Sequence, residues 1–254
     1  MDYIHRIVAG GTNLSDTDYG AAILLAHELG QIGWDKFSAV YPFIGGTASS
    51  HAKNLISSTY DLTMNGTITH SADGMKGDGA TGYADTGIIP STLYAGNYDH
   101  HLSIYVNEMS VTDQSIDMEC GDMDVNRFCC AFWNPPGTDD TYRLAKSCGG
   151  NHTVVSQVNG QAVYGNIIMS RTSSTDMRVY RAESLEQTIT TAATEVLPST
   201  SLIILGRRYT AVDVYSKSSS CVAFASVGAG LTDAECKHLA AAVRRFQVAL
   251  GRNV

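Results

Sequence analysis

Three short runs in this chain put chemically capable residues at meaningful spacings. Gly77-Asp78-Gly79-Ala80-Thr81-Gly82 spells G-x-G-x-x-G, the pattern with which a glycine-rich turn lets backbone approach a dinucleotide pyrophosphate. Ser115-Ile116-Asp117-Met118-Glu119-Cys120 alternates polar and apolar residues, so on a strand Ser115, Asp117 and Glu119 share one face, where paired carboxylates could line a cleft. Asp122-Met123-Asp124-Val125-Asn126 has the D-x-D-x-N opening of a calcium loop.

Each run has a simpler reading. A dinucleotide loop needs a helix after it to receive the phosphate, but Gly82 is followed by "YADTGIIP", which holds Gly87 and Pro90 and has no helical spacing. The loop reads as the corner of a β-sheet. A group of β-glucanases uses E-x-D-x-E on a strand; here the nucleophile's place is Ser115, which cannot serve without an activating base. The expectation is a strand with Ile116, Met118 and Cys120 inward and Ser115, Asp117 and Glu119 in solvent. In the calcium run, Arg127 stands where the loop needs Gly and Trp133 where it needs Glu, so this is not an EF-hand. Asp122 and Asp124, with Asp139 or Asp140, stay as oxygen ligands for a calcium ion at the rim of a sandwich.

Exposed aromatics offer a milder chemistry, since sugar rings stack on them while Asp and Asn take the hydroxyls. Trp133, Tyr142, Tyr164, Tyr209 and Tyr215 lie near expected loops or strand ends, and Trp133 and Tyr142 with Asp139 and Asp140 form the glycan-binding candidate. His100 and His101 are adjacent, so on a strand one faces the core and the other the surface. His51 reads as a turn residue. The six cysteines have no zinc spacing and read as small buried hydrophobes.

The elements that would position these residues are short. Residues 1–40 form a leader: a strand in "DYIHRIVAGG", then a helix from a Ser15/Asp18 capping box, with Gly30 as its stop and a further helical turn over 34–40. From 41 onward come roughly ten brief strand patterns separated by turns, with a hairpin expected at Asn65-Gly66. A C-terminal amphipathic helix over 231–250 opens on the Thr232/Glu235 capping box and carries Cys236, Leu239, Ala240, Val243 and Phe246 on one stripe. Frequent strands without intervening helices make this an all-β, antiparallel sandwich and not an alternating β-α fold.

Bulk properties narrow the function. The 254 residues carry a formal net charge of -8 and only 17% charged residues, which disfavours a nucleic-acid partner. No stretch approaches the ~20 apolar residues of a membrane span, so no membrane insertion is expected. The start of the chain does not read as a secretory signal, which points to synthesis in a cytoplasm.

Several segments together resemble laminin-G-like, concanavalin-A-like jelly rolls of phage and prophage structural proteins. These are "YPFIGGTASSHAKNL", "GMKGDGATGYADTG", "RVYRAESLEQTIT", "LIILGRR" and "CVAFASVGAGLTDAECKHLAAAVRRFQVALGR", with "HRIVAGGTNLSD" similar to the leader of that group. The resemblance covers about 34–254; it departs at Arg181-Ala182-Glu183-Ser184, where the family tends to have an Asn-Gly turn. It implies a non-enzymatic virion protein (capsid decoration, head fibre or tail component). Its expected partners are other virion proteins, a host surface glycan and further copies of itself, and the leader would serve attachment or oligomerisation. Calcium is a cofactor such domains often hold. The alternatives are a carbohydrate-active enzyme or a free lectin-like module on the same fold.

Overall fold

A computed structural model describes residues 2–94, 98–109, 115–122, 125–133, 141–147, 150–157, 165–210, 212–252 and 254. Helices α1 (Asp2–Ala9) and α2 (Asp16–Ile32) lead into strand β1 (Phe37–Tyr41) and the short helix α3 (Ala48–His51). Strands β2 (Thr63–Asn65), β3 (Ile68–Ser71), β4 (Gly74–Gly77) and β5 (Tyr83–Asp85) precede α4 (Pro90–Leu93). Longer strands follow: β6 (His100–Glu108), β7 (Met118–Asp122), β8 (Val125–Trp133), β9 (Thr141–Ser147), β10 (Gly150–Gln157), β11 (Gly165–Ser173), β12 (Asp176–Arg181) and β13 (Ser184–Ile189). Three two-residue strands, β14 (Ile203–Ile204), β15 (Arg207–Arg208) and β16 (Val214–Tyr215), come before β17 (Cys221–Gly228) and α5 (Asp233–Ala249).

The strands form two stacked sheets. The first runs β13-β12-β11-β6-β17-β4-β3, with β1 also on β17; the second runs β10-β9-β8-β7-β14-β5-β2 and carries the β15–β16 pair. Among the described residues every pairing is antiparallel except a two-residue contact between β15 and β7. Alternation along β6 explains the layering. Leu102, Ile104 and Val106 enter the core between the sheets, while Tyr105 turns to a second core beneath the helices. That second core joins Tyr3 and Ile7 of α1, Leu25 and Leu29 of α2, and Leu239, Val243 and Phe246 of α5 to the outer face of the first sheet. Each such side chain contributes about 1.5–3 kcal/mol by burial. Helices thus cover one outer face, and among the described residues no helix covers the other.

Local chemistry accounts for the helix ends. Ser15 Oγ accepts from Asp18 N at 3.0 Å and Asp18 returns a contact to Ser15 N, as the capping box requires. Thr232 and Glu235 do the same for α5. Helix α2 does not stop at Gly30. It runs to Ile32 because the bare Gly30 accommodates the Trp34 indole, and Gly33, at φ 117°, ends it. Residues 2–9 form a helix and not the expected strand: Tyr3 and Ile7, four apart, share the face that packs on the second core, and Asp2 pairs with Arg6 at 2.9 Å. The further helical turn expected over 34–40 shrinks to one 3₁₀ turn at Trp34–Lys36, after which the β-favouring Phe37–Tyr41 joins the sheet. The division expected after residue 40 falls inside β1.

Asn65-Gly66 does not close a hairpin either. Strand β2 pairs with β5 in the second sheet and β3 with β4 in the first, so this turn carries the chain between layers. The segment between β4 and β5 crosses back beside it, and that segment is the G-x-G-x-x-G run. Among the described residues no helix is long and apolar enough to cross a membrane.

Candidate functional site

The glycine-rich loop is filled from within. Ala80 N, Thr81 N and Gly82 N donate to Asp78 Oδ1 at 2.9, 2.7 and 2.8 Å, and the Thr81 hydroxyl donates to Asp78 Oδ2 at 2.6 Å. These bonds, the Thr81 hydroxyl's foremost, hold the Asp78 carboxyl well below the usual carboxylate range. The donors a phosphate would seek are therefore taken by the loop's own carboxylate. The glycines serve backbone contact: a Cβ on Gly77 would lie 2.1 Å from Ser218 O, and one on Gly82 would lie 2.1 Å from Thr67 O.

Over 115–120, the run that leads into β7, the apolar half of the expectation holds, with Ile116, Met118 and Cys120 buried. The polar half does not. Ser115, Asp117 and Glu119 are buried as well, the two carboxylates at 1% and 0% exposure. Asp117 Oδ1 accepts from Ser218 Oγ at 2.7 Å, and Leu205 N donates to its main-chain oxygen at 2.7 Å. Glu119 lies between two guanidiniums: Arg127, through Nη2 at 2.7 Å and a second contact from Nε, and Arg207, whose Nε is 3.1 Å away. Arg127 comes from the next strand, while Leu205, Arg207 and Ser218 come from segments distant in sequence, so alternation over 115–120 alone could not show them.

The Glu119 cluster continues to the surface. The Arg207 guanidinium lies 4.1 Å from the centroid of the Tyr209 ring. Tyr209 meets Tyr215 edge to face, with centroids 5.3 Å apart and planes at 71°. Tyr215 leaves 52% of itself in solvent. The turn that carries both rings is braced, since the Thr210 hydroxyl donates to Asp213 Oδ2 at 3.0 Å and Tyr209 N donates to Asp213 O at 3.1 Å. Beside it Arg208 Nη2 reaches Asp85 Oδ2 at 2.6 Å. This is a fixed aromatic step backed by charge, on the second sheet, suited to stacking against a flat apolar ring face with polar groups at its side.

Of the residues read as glycan-binding, Trp133 and Tyr142 are register partners on β8 and β9, while Asp139 and Asp140 lie outside the described residues, as does Tyr164. Of the calcium candidates, Asp122 ends β7 opposite Val125 and Asp124 lies outside the described residues. Among the described residues no three of His, Cys, Asp or Glu gather closely enough to hold a metal. Tyr209 and Tyr215 were legible as strand-end aromatics. Glu119, Arg127 and Arg207 were not legible as a unit, although the run Gly206-Arg207-Arg208-Tyr209 and the following Asp213-Val214-Tyr215 carry a short hairpin signal.

The histidines also differ from expectation. His100 and His101 do face opposite ways, but both are buried, because β1 and the loop after β17 close over His101 through Phe37 and Ala229. His100 Nε2 contacts Ser147 Oγ at 2.6 Å; His101 Nδ1 contacts Ala229 O at 2.6 Å. Burial pushes the His101 pKa down to about 4. His51 is not a turn residue: it ends the short helix α3 and is buried, with its Nδ1 3.0 Å from that of His70. Burial first, then the neighbouring His70, pushes it down to about 3. Cys120, Cys129, Cys130, Cys221 and Cys236 are buried as expected; Cys148 lies outside the described residues.

Two β-sheets stacked in this order, with the sheets' strands almost wholly antiparallel, decide the architecture. The fold is a jelly-roll β-sandwich. Solved structures share it: domain 4 of AbnA, a GH43 extracellular arabinanase from Geobacillus stearothermophilus in complex with arabinotriose, matches at 14% identity and TM-score 0.52, over 81% of this chain and 98% of that domain. The binding domain of botulinum neurotoxin serotype D matches at 6% identity and TM-score 0.53, over 82% of this chain and 52% of the other. Trypanosoma rangeli sialidase in complex with sialic acid matches at 12% identity and TM-score 0.53, over 81% of this chain and 32% of that one. At these identities the likeness concerns the fold. No family model and no curated protein matches the sequence.

Proposed function

We propose that this protein is a non-enzymatic structural component of a phage virion, a capsid decoration, head-fibre or tail-associated part, that presents a glycan-binding face to its host. The observation that carries the glycan reading is the Tyr209–Tyr215 step. Tyr215 is exposed and Tyr209 half-buried, the pair is held by the Thr210–Asp213 contact and by Arg207, and it lies on the sheet that no described helix covers. A rigid aromatic loses little conformational entropy when a sugar stacks on it. The virion role rests on the segmental sequence resemblance, and the sugar complexes among the structural neighbours favour the same kind of ligand. The non-enzymatic part is supported by Asp117 and Glu119, which are buried and engaged by Ser218 and by arginines.

A glycan array tests the binding reading, with the Tyr215→Ala variant as its control. Selective retention by the parent chain and loss in the variant support it; no retention on any glycan overturns it. Mass spectrometry of purified particles tests the virion reading, which fails if the chain is absent from them.

A further inference from the structure

Helix α2 carries large apolar residues on both of its long faces. Between Asp18 and Glu28 it has no charged residue, and its sequence there is Tyr-Gly-Ala-Ala-Ile-Leu-Leu-Ala-His. Ala21, Ala22, Leu25 and Leu29 are buried in the helical core. The opposite face leaves Tyr19 at 43%, Ile23 at 52% and Leu24 at 36% exposure, with Trp34 at 45% just beyond the helix end. A surface helix normally presents polar residues outward, and a cluster of large apolar side chains left bare on one marks a contact surface.

We infer that this face is the two-fold interface of a homodimer in which α2 packs antiparallel on α2 of a second copy. Three pairs of exposed residues share one centre, between residues 21 and 22. A two-fold axis there sets Gly20 opposite Ile23 of the second copy and Asp16 opposite its His27, with Tyr19 and Leu24 at the flanks. Nothing lies within 4 Å of where a Gly20 Cβ would stand, so the glycine leaves an opening at the level of the incoming Ile23 side chain. Asp16 at the N-terminal end meets an imidazole near the C-terminal end, and the antiparallel helix dipoles agree with that polarity. The face is thus complementary to itself in shape, with the Asp16 carboxylate as acceptor and the His27 imidazole as donor at each end, as an isologous contact requires. The inference is independent of the glycan reading.

Sedimentation equilibrium of the full chain tests it. The expected species has twice the 27.2 kDa of one chain. Gly20→Leu fills the opening and favours the helix, so the variant should keep the circular dichroism of the parent while its dissociation constant rises by about a hundredfold. Asp16→Lys should weaken association by roughly tenfold and the double variant Asp16→Lys/His27→Glu should restore it. A monomer at every concentration overturns the inference. So does an oligomer that is indifferent to Gly20→Leu in a variant whose circular dichroism matches that of the parent.

Discussion

Arg252, next to the C-terminal end of the chain, donates through Nη1 to the main-chain oxygen of Phe43 at 2.9 Å, across 209 residues of sequence. Its other donors reach Pro42 O, Ala72 O, Ala223 O and Gln247 Oε1, and the side chain is buried over the Phe246 ring. Phe43 itself holds φ 48°, a left-handed backbone that costs a bulky residue. One side chain therefore holds the strained loop after β1 against the end of α5. Arg252→Ala should cost about 3–5 kcal/mol in urea unfolding, because it strands several buried carbonyls at once. Arg252→Lys should recover little, since an ammonium has three donors in place of five.

Glu119→Gln should lower stability by about 3 kcal/mol, as it leaves two guanidiniums without their shared carboxylate. Tyr215→Ala should leave the melting temperature within a few degrees of the parent while abolishing retention on glycan. Thermal melts alongside the array read both effects, and a stable, folded Glu119→Gln would argue against the structural role assigned to that carboxylate.

The buried histidines set an acid limit. In the unfolded chain they take up a proton near pH 6.5, whereas burial holds His51 neutral down to about 3 and His101 down to about 4. Below pH 6.5 the unfolded state binds more protons than the folded one, so stability falls as pH drops from 6.5 towards 4. Above 6.5 these two groups contribute no slope. Urea midpoints at successive pH values should show this, and His51→Asn should flatten part of the decline.

The glycine-rich corner should respond as a packing joint. Gly82→Ala forces a Cβ onto the Thr67 carbonyl and should cost several kcal/mol or prevent folding. Asp78→Ala removes the acceptor of three backbone N–H groups, and in an exposed loop should cost about 1 kcal/mol. Calorimetry with a nicotinamide dinucleotide should show no heat of binding to the parent chain.

At the β12–β13 hairpin, Ala182 takes φ 49° between the paired Arg181 and Ser184. Ala182→Gly relieves a left-handed alanine and should raise stability by about 0.5–1 kcal/mol, as a rise in melting temperature of a few degrees would show.

What the sequence determined by itself was local. Capping boxes at Ser15 and Thr232, the helical stripe of α5 and the alternation along β6 and β7 act over a few residues, so they could be read without a partner. The all-β sandwich followed from the number of such strands. Tertiary structure decided what covers each face. Alternation separates the two sides of β7 but does not say that Arg127 and Arg207 will close over Glu119. Likewise it separates His100 from His101 but does not reveal Phe37 and the loop at Ala229, which bury the second. The corner at Asn65-Gly66 looked like a hairpin because a turn signal is local, while the choice of pairing strand is made by hydrogen bonds beyond the turn: β3 pairs with β4 and β2 with β5, not with each other. The Tyr209–Tyr215 step follows the same rule: each ring was visible as a strand-end aromatic, and only the stacking of Arg207 on one and the brace of Thr210 on Asp213 made them a surface.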